Sequence, residues 1–268
     1  MRVALVQMTS SDRPEGNLAR TEELIRKSAS GKPDLVALPE NVLYLRTEGD
    51  RLRFSEDLEE GEHLGVLRAL ARELGIWILV GSIPERIEGS DRVCNTSLLL
   101  GRRGDVHAVY RKIHLFDVTL PNGVELKESR YVEPGTEVVT ADTEFGKLGL
   151  TVCYDLRFPE LYRRLTQQGA EVIFVPSAFT AQTGKDHWHV LLRARAIENE
   201  VFIVAPAQFG YHSEKRQSFG HSLVVDPWGV VIAEAPDEEG AIVFVDLDRE
   251  RLREIRRKLP CLNHTRLI

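Results

Sequence analysis

The ten residues TVCYDLRFPE, at positions 151–160, join an apolar strand to a helix through a thiol and several charged groups. The run Leu148–Val152 is apolar, and Cys153 follows it where a turn or a helix must begin. A structural cysteine usually lies among aliphatic side chains and stays inert. Folds expose reactive atoms where a strand ends and a turn begins, so this pattern predicts a reactive thiol on a strand-and-helix scaffold.

Outward from this stretch, apolar runs alternate with amphipathic segments along the whole chain. Four runs are apolar throughout, as in strands buried on both faces: LVAL (35–38), WILVG (77–81), VIFV (172–175) and FIVA (202–205). Helical periodicity predicts helices at Asn17–Ser28, Glu62–Leu74, Pro159–Gln168, His187–Glu200 and Arg249–Lys258. The alternation predicts an α/β fold.

Hairpin-type strands also occur, which favours two sheets over one doubly wound sheet. The runs Val230–Ala233 and Ala241–Val245 flank the turn-rich segment APDEEG and predict a β-hairpin. The segment Phe116–Gly135 has weak periodicity, and a loop of this length in a compact domain is usually functional.

Composition limits the classes of partner and compartment. The chain has 268 residues, a net charge of −6 and a pI near 5.8, which does not favour nucleic acid or an anionic membrane surface. Its first residues do not resemble a signal peptide, and no apolar run approaches the roughly 20 residues of a membrane span. Three cysteines without CxxC or HExxH spacing predict reduced thiols, no metal site and a cytoplasmic protein.

Three apolar runs end in residues that together can cleave an amide. Leu35–Leu38 leads to Glu40, Val106–Tyr110 leads to Lys112, and the third run leads to Cys153. Each residue alone is more often structural. Together they supply a nucleophilic thiol, a carboxylate that accepts its proton, and an ammonium group that stabilises the oxyanion, without a metal or a cofactor.

The motifs in which these residues lie resemble those of the nitrilase, or carbon–nitrogen hydrolase, superfamily. In chain order they are ALVQM, DLVALPEN, YRKIHLFD, GLTVCYDLRFPE and HSLVVDPWGVV. The resemblance implies one domain over residues 1–268, folded as a four-layer α-β-β-α sandwich. It also implies a homodimer formed through the helices after Cys153 and Ser177. It makes Cys153 the nucleophile, Glu40 the general base and Lys112 the oxyanion-stabilising lysine. A second family glutamate matches Glu128, with Glu125 as the alternative.

Residues around the thiol are candidates for binding a small-molecule amide. Tyr154 is expected to supply a backbone N–H to the oxyanion, and Phe179 and Thr180 to line the pocket. Arg157 is either a clamp for a substrate carboxylate or the partner of Glu160 or Asp155 in an ion pair. Asp155 is expected to cap or tether the following helix.

Two stretches indicate a branch of the superfamily. AQFGYHSEKRQSFGHSLVVDPWG (207–229) and TGKDHWHVLLRARAIENE (183–200) resemble the deaminated glutathione amidases, with His189 as a departure where an acidic residue is expected. The loop Glu214–Arg216, with Lys215, is predicted to help hold an anionic substrate. The alternatives are an ω-amidase acting on α-ketoglutaramate and, from a different class, an inactive relative. The presence of Glu40, Lys112 and Cys153 argues against the inactive relative.

Overall fold

The structure is a computed structural model that describes residues 1–45, 51–119, 123, 125–214 and 216–267. The strands are β1 (Arg2–Val6), β2 (Leu35–Ala37), β3 (Trp77–Arg86), β4 (Val93–Leu100), β5 (Val106–Arg111), β6 (Asp117–Thr119), β7 (Glu125–Lys127), β8 (Val132–Glu133), β9 (Thr140–Thr143), β10 (Gly146–Leu150), β11 (Val172–Phe174), β12 (Phe202–Ala205), β13 (Phe209–Ser213), β14 (Arg216–Phe219), β15 (Leu223–Val225), β16 (Val231–Glu234) and β17 (Ile242–Asp246). The α-helices are α1 (Pro14–Ala29), α2 (Glu62–Leu74), α3 (Pro159–Gln167), α4 (Ala181–Asn199) and α5 (Arg249–Lys258).

The strands form two main sheets. The first has the order β17-β1-β2-β3-β4-β5, with β8 paired to β4, and the second has the order β16-β15-β12-β11-β10-β9. The central strands β1, β2 and β3 of the first sheet are parallel, as are β10, β11 and β12 of the second. Short hairpins β6-β7 and β13-β14 stand outside both sheets.

Alternation of side chains along the first sheet divides the core into two layers. On β1, Val3 and Leu5 face the second sheet, whereas Ala4 and Val6 face α1 and α2. Because successive side chains on a strand point to opposite faces, both faces of this sheet are apolar and buried. Helix α2 meets it with leucines at helical spacing and ends at Gly75, whose φ of 64° suits a residue without a side chain.

The second sheet also packs one face against the first sheet and the other face against helices. Leu161 and Leu165 of α3 and Trp188 and Leu192 of α4 belong to the same apolar cluster as β10, β11 and β12. The layers therefore run helix, sheet, sheet, helix, which confirms the predicted α-β-β-α sandwich. In the described part of the chain, no helix has both the length and the apolar character needed to cross a bilayer.

The predicted hairpin of Val230–Ala233 with Ala241–Val245 is wrong. Strand β16 pairs with β15 in the second sheet, whereas β17 pairs antiparallel with β1 in the first. The segment APDEEG therefore crosses from one sheet to the other. Pairing with β1 places β17 beside a buried strand and completes the edge of the first sheet, which a local hairpin would leave unpaired.

Candidate active site

The three predicted reactive residues converge from three strand ends in two sheets. Glu40 lies three residues beyond β2, Lys112 directly follows β5, and Cys153 begins the 3-10 helix Cys153–Arg157 after β10. Their exposed fractions are 3%, 2% and 8%. The chain therefore buries a carboxylate, an ammonium and a thiol together, and burial at this level requires that the charges be paired.

The ammonium of Lys112 lies between two glutamates. Its Nζ is 2.9 Å from Glu40 Oε1 and 2.9 Å from Glu128 Oε2. Glu125, the alternative second glutamate, instead forms an ion pair of 3.2 Å with Lys127 in the β6-β7 hairpin. The geometry thus brings Glu128, and not Glu125, to the lysine.

Asn95 on β4 joins both glutamates, and the sequence patterns did not point to it. Its Nδ2 donates to Glu40 Oε1 and to Glu128 Oε1, each at 3.0 Å. The backbone N–H of Ala178 donates to the second oxygen of Glu40 at 2.8 Å. Glu40 is therefore held by an amide, an ammonium and a backbone N–H. The available signal was an amide that opens the polar triplet NTS in the strand VCNTSLLL.

The network sets the ionisation of its members. Burial alone would lower the pKa of Lys112, but Glu128 and Glu40 outweigh burial and raise that pKa above its ordinary value. Burial would raise the pKa of Glu128, but the charges of Lys112 and Arg51 lower it to about 2. Lys112 is therefore cationic and Glu128 anionic at neutral pH.

The thiol is neutral at rest. Burial and the adjacent Glu40 carboxylate raise the pKa of Cys153 well above its ordinary value, and Lys112 only partly opposes them. The residue has a φ of 48°, a left-handed backbone conformation that is rare for a residue with a side chain. Its N–H donates to Pro176 O at 3.0 Å. The backbone is thus held in a strained turn, as is common where a side chain must point into a site.

Asp155 fastens this turn to the strand that carries the lysine. Its fully buried carboxylate accepts from Val152 N at 2.8 Å, Tyr110 Oη at 2.6 Å and His114 N at 3.1 Å. Asp155 therefore caps the 3-10 helix in which it lies and ties it to β5. The expected tether to the helix that follows is replaced by one to β5 and the segment after Lys112.

The thiol opens into a pocket that carries four guanidinium groups, those of Arg51, Arg130, Arg157 and Arg216. Phe179 and Thr180 also line it. A concave pocket with a few convergent polar groups suits a small molecule, and guanidinium groups match carboxylates in geometry and charge. Arg51 was not indicated by the sequence patterns.

The side chains of Arg157 and Arg216 make different contacts at the pocket. The Arg157 guanidinium lies over the rings of Phe179 and Tyr154, at 5.1 and 5.8 Å from their centres, and its Nη1 is 3.3 Å from His187 Nδ1. Neither Glu160 nor Asp155 pairs with it among the described residues. Arg216 Nη2 donates to Ala178 O at 3.3 Å. Lys215 lies outside the described residues.

Comparison with known proteins shows similarity along the whole chain. A family model described as carbon-nitrogen hydrolase matches residues 2–257. A deaminated glutathione amidase of Dictyostelium discoideum is 41% identical over 99% of this chain and 94% of its own. One of Homo sapiens is 43% identical over 98% of this chain and 82% of its own.

Solved structures show the same similarity. The NitFhit protein of C. elegans superposes with a TM-score of 0.91 at 37% identity over 99% of this chain, which spans 65% of that longer chain. A branch 10 member of the nitrilase superfamily from Saccharomyces cerevisiae superposes with a TM-score of 0.88 at 33% identity, over 97% of this chain and 94% of its own.

Proposed function

The chain belongs to the carbon–nitrogen hydrolase family, and we propose that it is a thiol amidase that hydrolyses deaminated glutathione to 2-oxoglutarate and cysteinylglycine. The observation that carries this proposal is the convergence of Cys153, Glu40 and Lys112 at the base of a pocket lined by guanidinium groups. Curated relatives of 41–43% identity bear the name of this amidase.

The first step is attack of Cys153 Sγ on the amide carbonyl. Because burial and Glu40 keep the thiol protonated at rest, its proton must leave as the carbon–sulfur bond forms. Glu40 is the adjacent carboxylate and takes this proton. Its three hydrogen-bond donors hold it in place as the general base.

The resulting oxyanion is stabilised by the Lys112 ammonium and the backbone N–H of Tyr154. Lys112 stays charged because Glu40 and Glu128 raise its pKa. Glu128 also holds the ammonium, at 2.9 Å, and keeps it cationic after Glu40 is protonated. Keeping Lys112 cationic after Glu40 takes a proton requires a second carboxylate beside the ammonium, and we assign this role to Glu128.

The tetrahedral intermediate then collapses, and Glu40 returns the proton to the leaving amine. The carbon–nitrogen bond breaks, cysteinylglycine departs, and a thioester remains on Cys153. Water attacks the thioester with Glu40 again as base, which releases 2-oxoglutarate and restores the thiol. Each proton is taken and returned by the same carboxylate, so the cycle balances without a metal or a cofactor.

The pocket charges support a substrate with a carboxylate at each end. Arg157, which follows the thiol by four residues and is packed against Phe179 and Tyr154, holds the carboxylate of the 2-oxo acid. Arg216, at the start of β14, binds towards the dipeptide half, and Phe179 and Thr180 form the wall between them. Arg51 adds positive charge close enough to Glu128 to lower the pKa of that carboxyl.

Steady-state kinetics on three compounds tests the assignment: deaminated glutathione, α-ketoglutaramate and a simple nitrile. The proposal requires the highest kcat/KM for deaminated glutathione. A strong preference for α-ketoglutaramate would instead make the protein an ω-amidase, which remains the alternative because both substrates share the 2-oxo acid that Arg157 binds.

Assembly and compartment are part of the same proposal. We infer one domain over residues 1–268, a homodimer and a cytoplasmic protein. The exposed Val190 and Ile197 on α4 support pairing of this helix with a second copy. The free thiols of Cys94, Cys153 and Cys261 support a reducing compartment.

A further inference from the structure

Three potential metal ligands meet at the outer edge of the second sheet, away from the pocket. His189 lies on α4, His221 precedes β15, and Glu234 ends β16. Glu234 Oε1 is 3.0 Å from His189 Nε2 and 2.7 Å from His221 Nδ1, and the three ligand atoms lie within 4.8 Å of one another. Both imidazoles are half-buried, whereas Glu234 is exposed.

We propose that His189, His221 and Glu234 bind a divalent transition-metal ion of the Zn²⁺ class, with solvent as the fourth ligand. Imidazole nitrogens and a carboxylate oxygen are ligands that Zn²⁺ accepts, and bond lengths near 2.1 Å place tetrahedral ligand atoms about 3.4 Å apart. The two carboxylate–imidazole separations, 3.0 and 2.7 Å, are hydrogen-bond distances and are shorter than this value. Binding of an ion therefore requires the Glu234 carboxylate to move away from both rings.

The hydrogen bonds of His221 argue that a cation belongs beside it. Its Nδ1 faces Glu234 and its Nε2 faces Asp237 Oδ1 at 3.1 Å. A neutral imidazole carries one N–H, so one of these nitrogens would direct a lone pair at a carboxylate. Either a second proton or a metal ion removes that repulsion. With a metal on Nδ1, the Nε2–H donates to Asp237, which is the usual carboxylate–histidine–metal arrangement.

The surrounding structure holds His221 in this position. The residue has a φ of 55° and follows Gly220, whose φ is 78°, so the chain turns sharply to present the ring. Its carbonyl accepts from Trp188 Nε1 at 2.9 Å, and its ring stacks on Phe219 at 4.4 Å between centres. A fixed ring lowers the entropy lost on binding, which favours a specific site over a loose surface contact.

The expected consequence is a stronger attachment of α4 to the second sheet. One ligand comes from α4, one from the segment before β15 and one from β16, so an ion bound to the folded chain raises its stability by mass action. The site touches neither the thiol nor Glu40, so this inference stands or falls independently of the proposed function.

Isothermal titration of chelator-treated, tag-free full-length protein with ZnCl₂ near neutral pH tests the site. A Cys153→Ala background prevents metal binding at the active thiol. We expect one Zn²⁺ per chain, with affinity reduced at least about tenfold in His189→Gln and in His221→Gln, and by about tenfold in Asp237→Asn, which removes the outer carboxylate. His264→Gln, which removes an exposed histidine elsewhere, serves as the matched control and is expected to bind like its parent.

A thermal melt with and without ZnCl₂ gives a second readout. The parent and His264→Gln are expected to melt higher with the ion, whereas His189→Gln and His221→Gln are expected to lose that increase while melting like the parent without the ion. Absence of binding by the parent, or equal Zn²⁺ affinity in the parent and both cluster variants, overturns the proposal. In either case the contacts between the two histidines and Glu234 are structural hydrogen bonds and hold no ion.

Discussion

Replacement of Asn95 by alanine tests whether the two glutamates are held by the amide that bridges them. Asn95 Nδ2 donates to Glu40 and to Glu128 at 3.0 Å each, and hydrogen bonds to charged groups contribute about 1.5–3 kcal/mol apiece. Since water can refill part of the space, we expect Asn95→Ala to lower the free energy of unfolding by about 3 kcal/mol.

The hydrogen bonds that Glu40 keeps in Asn95→Ala set the size of the expected decrease in kcat. Glu40 loses one of three donors and keeps Lys112 Nζ and Ala178 N, so kcat is expected to fall about 10–10²-fold, or about 1.4–2.8 kcal/mol. KM should stay nearly constant, because Asn95 does not line the pocket.

Urea unfolding and steady-state kinetics on the preferred amide measure both effects. Ser97→Ala is the matched control, since Ser97 lies on the same strand but donates to Val80 O and contacts neither glutamate. A folded Asn95→Ala variant with wild-type kcat, or with a defect confined to KM, would refute the bridging role.

Three further predictions concern the charges of the site. Lys112→Met leaves two buried carboxylates without their cation. We therefore expect the free energy of unfolding to fall by about 3–5 kcal/mol and kcat to fall at least 10²-fold. A folded variant of near-normal rate would contradict the oxyanion role. Because the charges of Lys112 and Arg51 outweigh burial and lower the pKa of Glu128 from 4.5 to about 2, the stability gained from this carboxylate is present above pH 4.5 and is lost as the pH falls towards 2. Acid unfolding should therefore be steeper in the wild type than in Glu128→Gln, and equal pH profiles would contradict this. Arg157→Ala should lower kcat/KM about 10–10²-fold for deaminated glutathione and for α-ketoglutaramate alike. Arg216→Ala should lower kcat/KM more for deaminated glutathione than for α-ketoglutaramate. Unchanged kcat/KM values for both amides in Arg157→Ala would exclude the carboxylate clamp.

Local signals in the sequence were enough to predict an α/β fold with two sheets and the grouping of Glu40, Lys112 and Cys153, whereas the four layers were implied by the family resemblance. Apolar runs that end in a charged or nucleophilic residue are visible without knowing which strands pair. Glu40 and Lys112 meet at one edge of the first sheet, where strand ends gather, and Cys153 joins them from the second sheet.

Features that depend on distant partners were not predictable in the same way. Strand β17 pairs with β1, more than two hundred residues earlier, so a turn-rich segment before it carried no information about its partner. Asn95 acts only because β4 lies beside β5, which leads to Lys112, and one strand away from β2, which leads to Glu40. The histidine cluster has no recognisable spacing, since its ligands come from a helix and two strand ends.

The first turn of α4 was not predicted from the sequence, because a glycine that packing requires weakens the helical signal there. Periodicity predicted a helix from His187, whereas α4 begins at Ala181. Gly184 lowers helix propensity in this first turn, but a Cβ there would lie 2.4 Å from Phe219. The glycine therefore permits close contact with β14, and tertiary packing overrides its local preference.

Intact-mass analysis during turnover of deaminated glutathione tests the central claim most directly. We predict one covalent 2-oxoglutaryl adduct per chain, located by peptide mapping at Cys153, together with release of cysteinylglycine and complete loss of both in Cys153→Ala. Turnover by Cys153→Ala at the wild-type rate would contradict the claim that this thiol carries the reaction.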